Sequence, residues 1–133
     1  MKIVIIGGVA GGMSAAARLR RLDEKADIIV VEKSGYVSFA NCGLPYYIGG
    51  VIEEKESLIL ETPLTLREKF NLDIRVKSEA VSIDTGKKEI KIKNVETNNE
   101  YTESYDKLLI ATGAKPFVPY IEGLEEAGYL TLR

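Results

Sequence analysis

Residues 3–12 of the chain read Ile3-Val4-Ile5-Ile6-Gly7-Gly8-Val9-Ala10-Gly11-Gly12. The four apolar β-branched residues are typical of a parallel strand that is buried on both faces. The glycines predict a tight turn, and the alanines and leucines between Gly11 and Leu22 predict a helix. A second apolar run, Ile28 to Val31, ends at Glu32. Strand, turn, helix and strand together predict a βαβ unit over residues 1–35, with a right-handed crossover.

The glycine turn indicates a dinucleotide site, with one departure from the pattern G-x-G-x-x-G. Gly7 and Gly12 match its first and sixth positions, whereas Val9 stands at the third. Amide groups at a helix N-terminus attract phosphate, and Glu32 follows the second strand where a carboxylate accepts hydrogen bonds from a ribose. The alternative is that these glycines serve only tight helix–strand packing. The two strands and the acid in register favour dinucleotide binding.

Composition limits the possible functions. The 133 residues suit one domain, and a net charge of −2 gives no electrostatic reason to bind nucleic acid or an anionic membrane. Only four apolar residues separate Lys2 from Gly7, too few for a signal peptide or membrane span. The chain has one cysteine and no histidine. We therefore expect a cytoplasmic protein without a metal site, whose acid–base groups are carboxylate, lysine, tyrosine, the thiol or residues of another chain.

The remainder of the chain predicts a short helix and more strands. Thr62 and Pro63 resemble an N-cap and first helical residue, with the helix continuing to Phe70. Alternating apolar and charged residues over 73–105 predict an antiparallel meander with one solvated face. Residues 107–133 predict a last buried strand and an irregular connection.

Cys42 is the residue with the most reactive side chain. It lies in the segment Ser38-Phe39-Ala40-Asn41-Cys42-Gly43-Leu44-Pro45-Tyr46-Tyr47, downstream of the βαβ unit. Because the chain has no second cysteine, any redox partner of this thiol must come from outside. The alternative is a buried structural thiol, which is common for cysteine.

Four motifs together resemble the flavin-dependent pyridine nucleotide–disulfide oxidoreductases. They are the Gly7–Gly12 turn, the pair Glu32-Lys33, residues 38–47, and Ala111-Thr112-Gly113-Ala114. The resemblance is closest to the single-cysteine branch, which contains coenzyme A-disulfide reductases, NADH oxidases and NADH peroxidases. It implies an α/β fold, namely a Rossmann-like FAD-binding domain of three layers with a parallel sheet and an antiparallel β-meander.

Members of this family are much longer than this chain. They add the rest of the FAD domain, an NAD(P)H domain and a dimerisation domain. The resemblance therefore implies an incomplete, N-terminal part of the FAD-binding domain that is inactive alone. It also implies FAD as cofactor, NAD(P)H as the reductant of the full-length enzyme, and a homodimer.

The same resemblance implies the cofactor contacts. The pyrophosphate would lie on the glycine turn, the adenosine ribose on Glu32, and the turn at Thr112 would close over FAD. Residues implied at the cofactor are Gly7, Gly8, Val9, Ala10, Gly11, Gly12, Glu32, Lys33, Asn41, Cys42, Ala80, Val81, Ala111, Thr112, Gly113 and Arg133.

Two positions bear on the branch of the family. Tyr47 occupies the place of the second cysteine of the two-cysteine enzymes, so Cys42 would cycle through a mixed disulfide or a sulfenic acid. Ala10 occupies the place of a histidine found in NADH peroxidases and many oxidases. We therefore favour disulfide reduction. The alternatives are oxidase or peroxidase chemistry through a sulfenic acid, and a flavin- or nucleotide-binding module without turnover.

A face of the first helix is a candidate substrate site. Ser14, Arg18 and Arg21 are spaced by four and three residues and share one face. In coenzyme A-disulfide reductases the matching positions, with those of Ser38 and Asn41, contact coenzyme A, and guanidinium groups suit its phosphates. The resemblance thus implies coenzyme A disulfide, or a related small disulfide, as the partner of Cys42. The alternative is a solvated helix face.

Overall fold

A computed structural model of the chain describes residues 1–132. In this part of the chain a parallel sheet has the strand order β3-β2-β1-β7, and a separate antiparallel sheet has the order β4-β5-β6. The strands are β1 (Lys2–Ile6), β2 (Asp27–Val31), β3 (Asp73–Arg75), β4 (Ser78–Asp84), β5 (Glu89–Asn94), β6 (Glu100–Ser104) and β7 (Lys107–Ile110). The helices are α1 (Ala10–Leu22), α2 (Leu44–Ile48), α3 (Pro63–Phe70) and α4 (Leu124–Ala127).

The central strands of the parallel sheet, β1 and β2, are covered on both faces, as their continuous apolar runs predict. The edge strand β7, predicted to be buried as well, is instead half-buried or exposed along its length. On one face Ile3, Ile5 and Val30 pack with Met13 and Ala16 of α1, and Leu66 of α3 joins the same cluster. On the other face Val4, Ile29 and Val31 pack with Ile90 and Ile92 of β5. The antiparallel sheet is therefore the third layer of the domain. This confirms the predicted α/β fold of a parallel sheet with a meander.

The predicted boundary of the meander was wrong at its start. The alternation over 73–105 predicted one antiparallel unit, but β3 pairs in parallel with β2, with Ile74 opposite Val30. The meander itself begins at Ser78. The pattern misled because β3 is a three-residue edge strand with one buried apolar residue, Ile74, between two half-buried polar ones. Such a strand has the same alternation in either orientation.

Helix positions agree closely with the sequence. The first helix begins at Ala10, one residue before the predicted start, and ends at Leu22. The Thr62 side chain accepts a hydrogen bond from the Thr65 amide, and α3 runs from Pro63 to Phe70. Within residues 1–132, no helix is long and apolar enough to cross a membrane.

Charged side chains connect the parallel and antiparallel sheets at the border of the apolar cluster that β5 forms with β1 and β2. Arg75 of β3 donates hydrogen bonds to Asp73 at 2.7 Å and to Glu103 of β6 at 2.7 Å, and Lys2 of β1 also pairs with Glu103. Burial raises the pKa of Glu103, but hydrogen bonds from Lys2 and Arg75 outweigh it and hold the pKa below its ordinary value. The Glu103 carboxylate thus pairs with cations on both β1 and β3 and joins these strands to β6 of the meander.

We expect Glu103→Gln to make the stability of the fold less dependent on pH. Because the pKa of Glu103 is lower in the folded than in the unfolded chain, its ion pairs stabilise the fold above the ordinary carboxyl pKa and are lost as the pH falls. The variant should be less stable at pH 7 by about 1–2 kcal/mol, and the difference should shrink between about pH 5 and pH 3. Urea unfolding at several pH values measures it.

Glu53→Gln is the control, because Glu53 is exposed and takes part in none of the ion pairs among residues 1–132. A Glu103→Gln variant that keeps the pH dependence of the parent chain would contradict the assignment of this carboxylate as the linking anion.

Candidate functional site

The glycine turn lies where the carboxyl ends of three parallel strands meet. The Gly7 amide donates to the Val31 carbonyl at 2.8 Å, and the Ala111 amide donates to the Ile6 carbonyl at 2.8 Å. These bonds join the ends of β2 and β7 to the end of β1. Ligands of open α/β sheets bind at this edge, in the crevice outside the carboxyl ends of the strands.

Two glycines of the turn leave no room for a side chain. Gly7 has a φ of +105°, and a Cβ there would lie 2.3 Å from the Ala111 carbonyl oxygen. A Cβ on Gly12 would lie 1.7 Å from the Gly7 carbonyl oxygen. The close packing of β1, α1 and β7 therefore requires glycine at both positions. Tight helix–strand packing, the alternative to dinucleotide binding, is therefore part of the role of both glycines.

The turn also fits a pyrophosphate. No side chain caps the N-terminus of α1, and its first turn carries no acidic residue. No capping side chain within residues 1–132 therefore occupies the amides at the N-terminus of this 13-residue helix. Val9, the departure from the glycine pattern, is the N-cap residue of α1, with φ −99° and ψ −131°.

Glu32 is fixed beside the turn by both of its carboxylate oxygens. Its Oε2 accepts the Gly8 amide at 2.7 Å, and its Oε1 accepts the Ser34 amide at 2.8 Å. Each carboxylate oxygen can accept more than one hydrogen bond, so the group remains able to accept ribose hydroxyls. Gly8 is buried, and a Cβ on it would lie 2.8 Å from Val37 and 3.0 Å from Glu32. The Glu32 side chain and the glycine turn therefore hold each other in position.

Cys42 is an exposed free thiol. It lies in the 3₁₀ helix Asn41–Gly43, which leads directly into α2. Gly43 is buried against Leu58, where a Cβ would lie 2.4 Å from the leucine side chain. The interpretation of Cys42 as a buried structural thiol is therefore wrong. The structure anchors the residue after the cysteine and leaves the thiol itself accessible.

The predicted substrate face of α1 is exposed. The side chains of Ser14, Arg18 and Arg21 all reach solvent. Arg20, which no predicted motif includes, is instead buried, and its Nε donates a hydrogen bond to the Phe70 carbonyl at 2.8 Å. Its remaining nitrogens donate to the carbonyl oxygens of Asp23, Glu24 and Asn71.

A sequence signal for this arginine exists. Arg20 follows the buried residues Met13 and Ala16 at helical spacing, so it occupies the core face of α1. Its contacts are all with backbone carbonyls at the other end of the sheet. Arg20 therefore links the loop between α1 and β2 to the C-terminal end of α3, and it is separate from the candidate site.

The other predicted cofactor residues are distributed around the turn. The Ser78 amide at the start of β4 donates to the Glu32 carbonyl at 2.9 Å, which places the strand of Ala80 and Val81 next to Glu32. Lys33 pairs with Glu79 of the same strand at 2.8 Å. Thr112 and Gly113 follow Ala111 at the end of β7, and Asn41 adjoins Cys42. Arg133 lies outside the described residues.

A family model described as pyridine nucleotide-disulphide oxidoreductase matches residues 1–133. The chain is 42% identical over 113 residues to the coenzyme A disulfide reductase of Staphylococcus epidermidis, which covers 85% of this chain and 26% of the relative. Its fold is similar to that of reduced CoADR-RHD from Bacillus anthracis, with a TM-score of 0.91, 60% identity, and 94% and 22% of the two chains covered.

A further similar structure is the NAD-dependent persulfide reductase from A. fulgidus. The TM-score is 0.88 at 43% identity, with 94% of this chain and 23% of that chain covered. The chain thus spans about a quarter of the length of the curated relatives that it matches.

We expect Gly12→Ala to disrupt the turn and Gly11→Ala to be tolerated. A Cβ on Gly12 would collide with the Gly7 carbonyl, whereas a Cβ on Gly11 would lie 3.7 Å from the Ala111 side chain, an ordinary contact. The first variant should lose about 2–4 kcal/mol of unfolding free energy or fail to fold, and the second should change by less than about 1 kcal/mol. Urea unfolding compares them. Equal stability of the two variants would contradict the close packing at Gly12.

Proposed function

Because the chain belongs to the pyridine nucleotide-disulphide oxidoreductase family, whose members are enzymes that use FAD and NAD(P)H, we propose that it supplies the FAD-binding turn and the nucleophilic thiol of an NAD(P)H-dependent disulfide reductase. The activity that the site supports best is reduction of coenzyme A disulfide. One observation carries this proposal. The exposed thiol of Cys42 lies on a loop whose backbone is hydrogen bonded to the glycine turn, through the Ser38 amide and the Gly8 carbonyl.

Each part of the turn has a role toward FAD. The amide groups at the start of α1 would bind the pyrophosphate. Glu32, already oriented by Gly8 and Ser34, would accept the hydroxyls of the adenosine ribose. FAD, when bound, would pass two electrons from NAD(P)H to the sulfur of Cys42. Residues of this chain would carry out the thiol exchange and bind the substrate.

The thiol chemistry proceeds through a mixed disulfide. The Cys42 thiolate attacks one sulfur of coenzyme A disulfide, the S–S bond of the substrate breaks, and the leaving coenzyme A thiolate takes a proton. Two electrons and one proton then cleave the bond between Cys42 and the bound coenzyme A. This step releases the second coenzyme A thiol and restores the Cys42 thiolate.

The substrate would lie between α1 and the cysteine loop, which comprises residues 38–42. Arg18 and Arg21 are exposed on the same face of α1, and neither forms an ion pair with another residue of the described chain. Arg21 Nε donates a hydrogen bond to the Ala17 carbonyl at 3.2 Å, but neither guanidinium is paired with a carboxylate, so both suit the phosphates of coenzyme A. Ser14 on the same face, with Ser38 and Asn41 on the loop, would provide the polar contacts.

A second candidate substrate is an organic persulfide. The 43% identity to an NAD-dependent persulfide reductase favours it. Attack of the Cys42 thiolate on the organic sulfur would form the same mixed disulfide and release hydrosulfide in place of a thiol. Peroxide and oxygen chemistry has less support, because Ala10 opens α1 with a methyl group and no titratable side chain stands at that position.

FAD binding provides the first test. We expect the chain to bind FAD, and Glu32→Gln to weaken binding about tenfold or more, because charged hydrogen bonds to the ribose contribute about 1.5–3 kcal/mol each. Quenching of flavin fluorescence measures the affinity. FMN, which lacks the adenosine, serves as the control ligand, and Glu32→Gln should not change its binding. Failure of the parent chain to bind FAD would contradict the proposed cofactor site.

Mixed-disulfide formation provides the second test. We expect intact-mass spectrometry to detect one coenzyme A adduct after incubation with coenzyme A disulfide, and none in Cys42→Ser. The double variant Arg18→Ala, Arg21→Ala should slow the reaction about tenfold, since two exposed charged contacts to phosphate together contribute about 1–2 kcal/mol.

The controls separate charge recognition from a general effect on the thiol. The uncharged 2-hydroxyethyl disulfide should react equally fast with the parent chain and the double variant. Arg67→Ala, on the exposed face of α3, should leave both rates unchanged. If the double variant slows both disulfides alike, Arg18 and Arg21 do not bind coenzyme A.

A further inference from the structure

The loop before Cys42 is held by backbone hydrogen bonds on two sides. On one side the Ser38 amide donates to the Gly8 carbonyl at 3.0 Å. On the other side the Leu60 amide donates to the Ser38 carbonyl at 3.1 Å, and the Ala40 amide donates to the Leu58 carbonyl at 2.8 Å. Both peptide groups that flank the Ser38 Cα are therefore fixed, four residues before the thiol.

Ser38 adopts a backbone conformation that L-residues rarely use. Its φ is +51°. This conformation is costly for residues with a Cβ, and most costly for β-branched ones. Among residues 1–132 the Ser38 hydroxyl makes no hydrogen bond. The backbone of Ser38, not its side chain, therefore holds the loop in place.

Gly8 joins this loop to the nucleotide turn. Its amide is bound by the Glu32 carboxylate and its carbonyl by the Ser38 amide. The Val37 side chain, fully buried, contacts Gly8 so closely that a Cβ there would lie 2.8 Å away. A ligand that fixes the turn through its amides and Glu32 must therefore also restrict the residue to which the cysteine loop is attached.

We propose that Ser38 is a positioning residue that couples occupation of the glycine turn to the reactivity of Cys42. Its left-handed backbone directs the Ser38 amide to Gly8 while the chain continues toward the thiol. The inference rests on the proposed function, because it takes the turn as the nucleotide site. It differs from a substrate-binding role of the hydroxyl, which requires only the side chain.

Two variants separate the backbone role from the side-chain role. Ser38→Gly removes the hydroxyl and accepts a positive φ without strain. Ser38→Thr keeps the hydroxyl and adds a β-branch that disfavours this conformation. The proposal therefore predicts that the glycine variant retains the coupling and the threonine variant loses it. A role of the hydroxyl predicts the opposite order.

The experiment measures the rate of Cys42 alkylation by iodoacetamide, with and without ADP. ADP carries the ribose and pyrophosphate but no flavin ring, so any effect on the thiol passes through the protein. We expect ADP to slow alkylation about threefold in the parent chain and in Ser38→Gly, the factor that one hydrogen bond supports. In Ser38→Thr the two rates should be equal, while calorimetry still detects ADP binding.

Hydrogen exchange of the residue 38 amide tests the link without any ligand. The amide should be protected in the parent chain and in Ser38→Gly, and should exchange about tenfold faster in Ser38→Thr. An unprotected amide in the parent chain overturns the proposal even if Ser38→Thr fails to fold. ADP that binds the parent chain without changing alkylation overturns it as well. Absence of ADP binding with a protected amide contradicts instead the nucleotide site, and with it the coupling.

Discussion

Gly7 packs against the backbone of Ala111, and Gly12 packs against Gly7, at distances that leave no room for a side chain on either glycine. The rest of the domain is arranged around this contact. A Cβ on Gly12 would lie 1.7 Å from the Gly7 carbonyl, and one on Gly7 would lie 2.3 Å from the Ala111 carbonyl. The contact brings the N-terminus of α1 against the ends of β1 and β7. The positive helix end and the strand ends then share one crevice. The proposed site for an anionic dinucleotide therefore lies where the helix packs most tightly on the sheet.

The meander depends on a different interaction. Ile90 and Ile92 of β5 cover Val4, Ile29 and Val31, so the two central strands of the parallel sheet are buried on both faces. At the border of this cluster the Glu103 carboxylate lies between Lys2 and Arg75. The apolar contact supplies the burial, and the ion pairs fix the orientation, because a carboxylate shared by two cations on different strands allows few arrangements. β4 is thereby held next to Glu32.

The sequence predicted the βαβ unit, the turn and Glu32 because each has a local signature. Strand periodicity, glycine spacing and an acid at a strand end are all read within about thirty residues. The orientation of β3 was wrong because pairing with β2 is a contact between residues distant in sequence. Arg20 was missed because a charged residue on a core face contradicts the usual pattern. The positive φ of Ser38 has no sequence signal, since glycine, asparagine and aspartate are the residues that indicate this conformation and serine does not.

The lack of histidine in the chain bears on which sulfur or oxygen chemistry Cys42 can support alone. Cleavage of a disulfide releases a thiolate whose conjugate acid has a pKa of about 8.5, so the leaving group departs without a strong proton donor at neutral pH. Cleavage of a peroxide O–O bond releases hydroxide, the conjugate base of water, which is a far weaker acid than a thiol, and it therefore requires a proton donor close to the thiol. Ala10 offers none at the start of α1. In the proposed function, an exposed thiol in a chain without histidine therefore attacks disulfides and persulfides before peroxides.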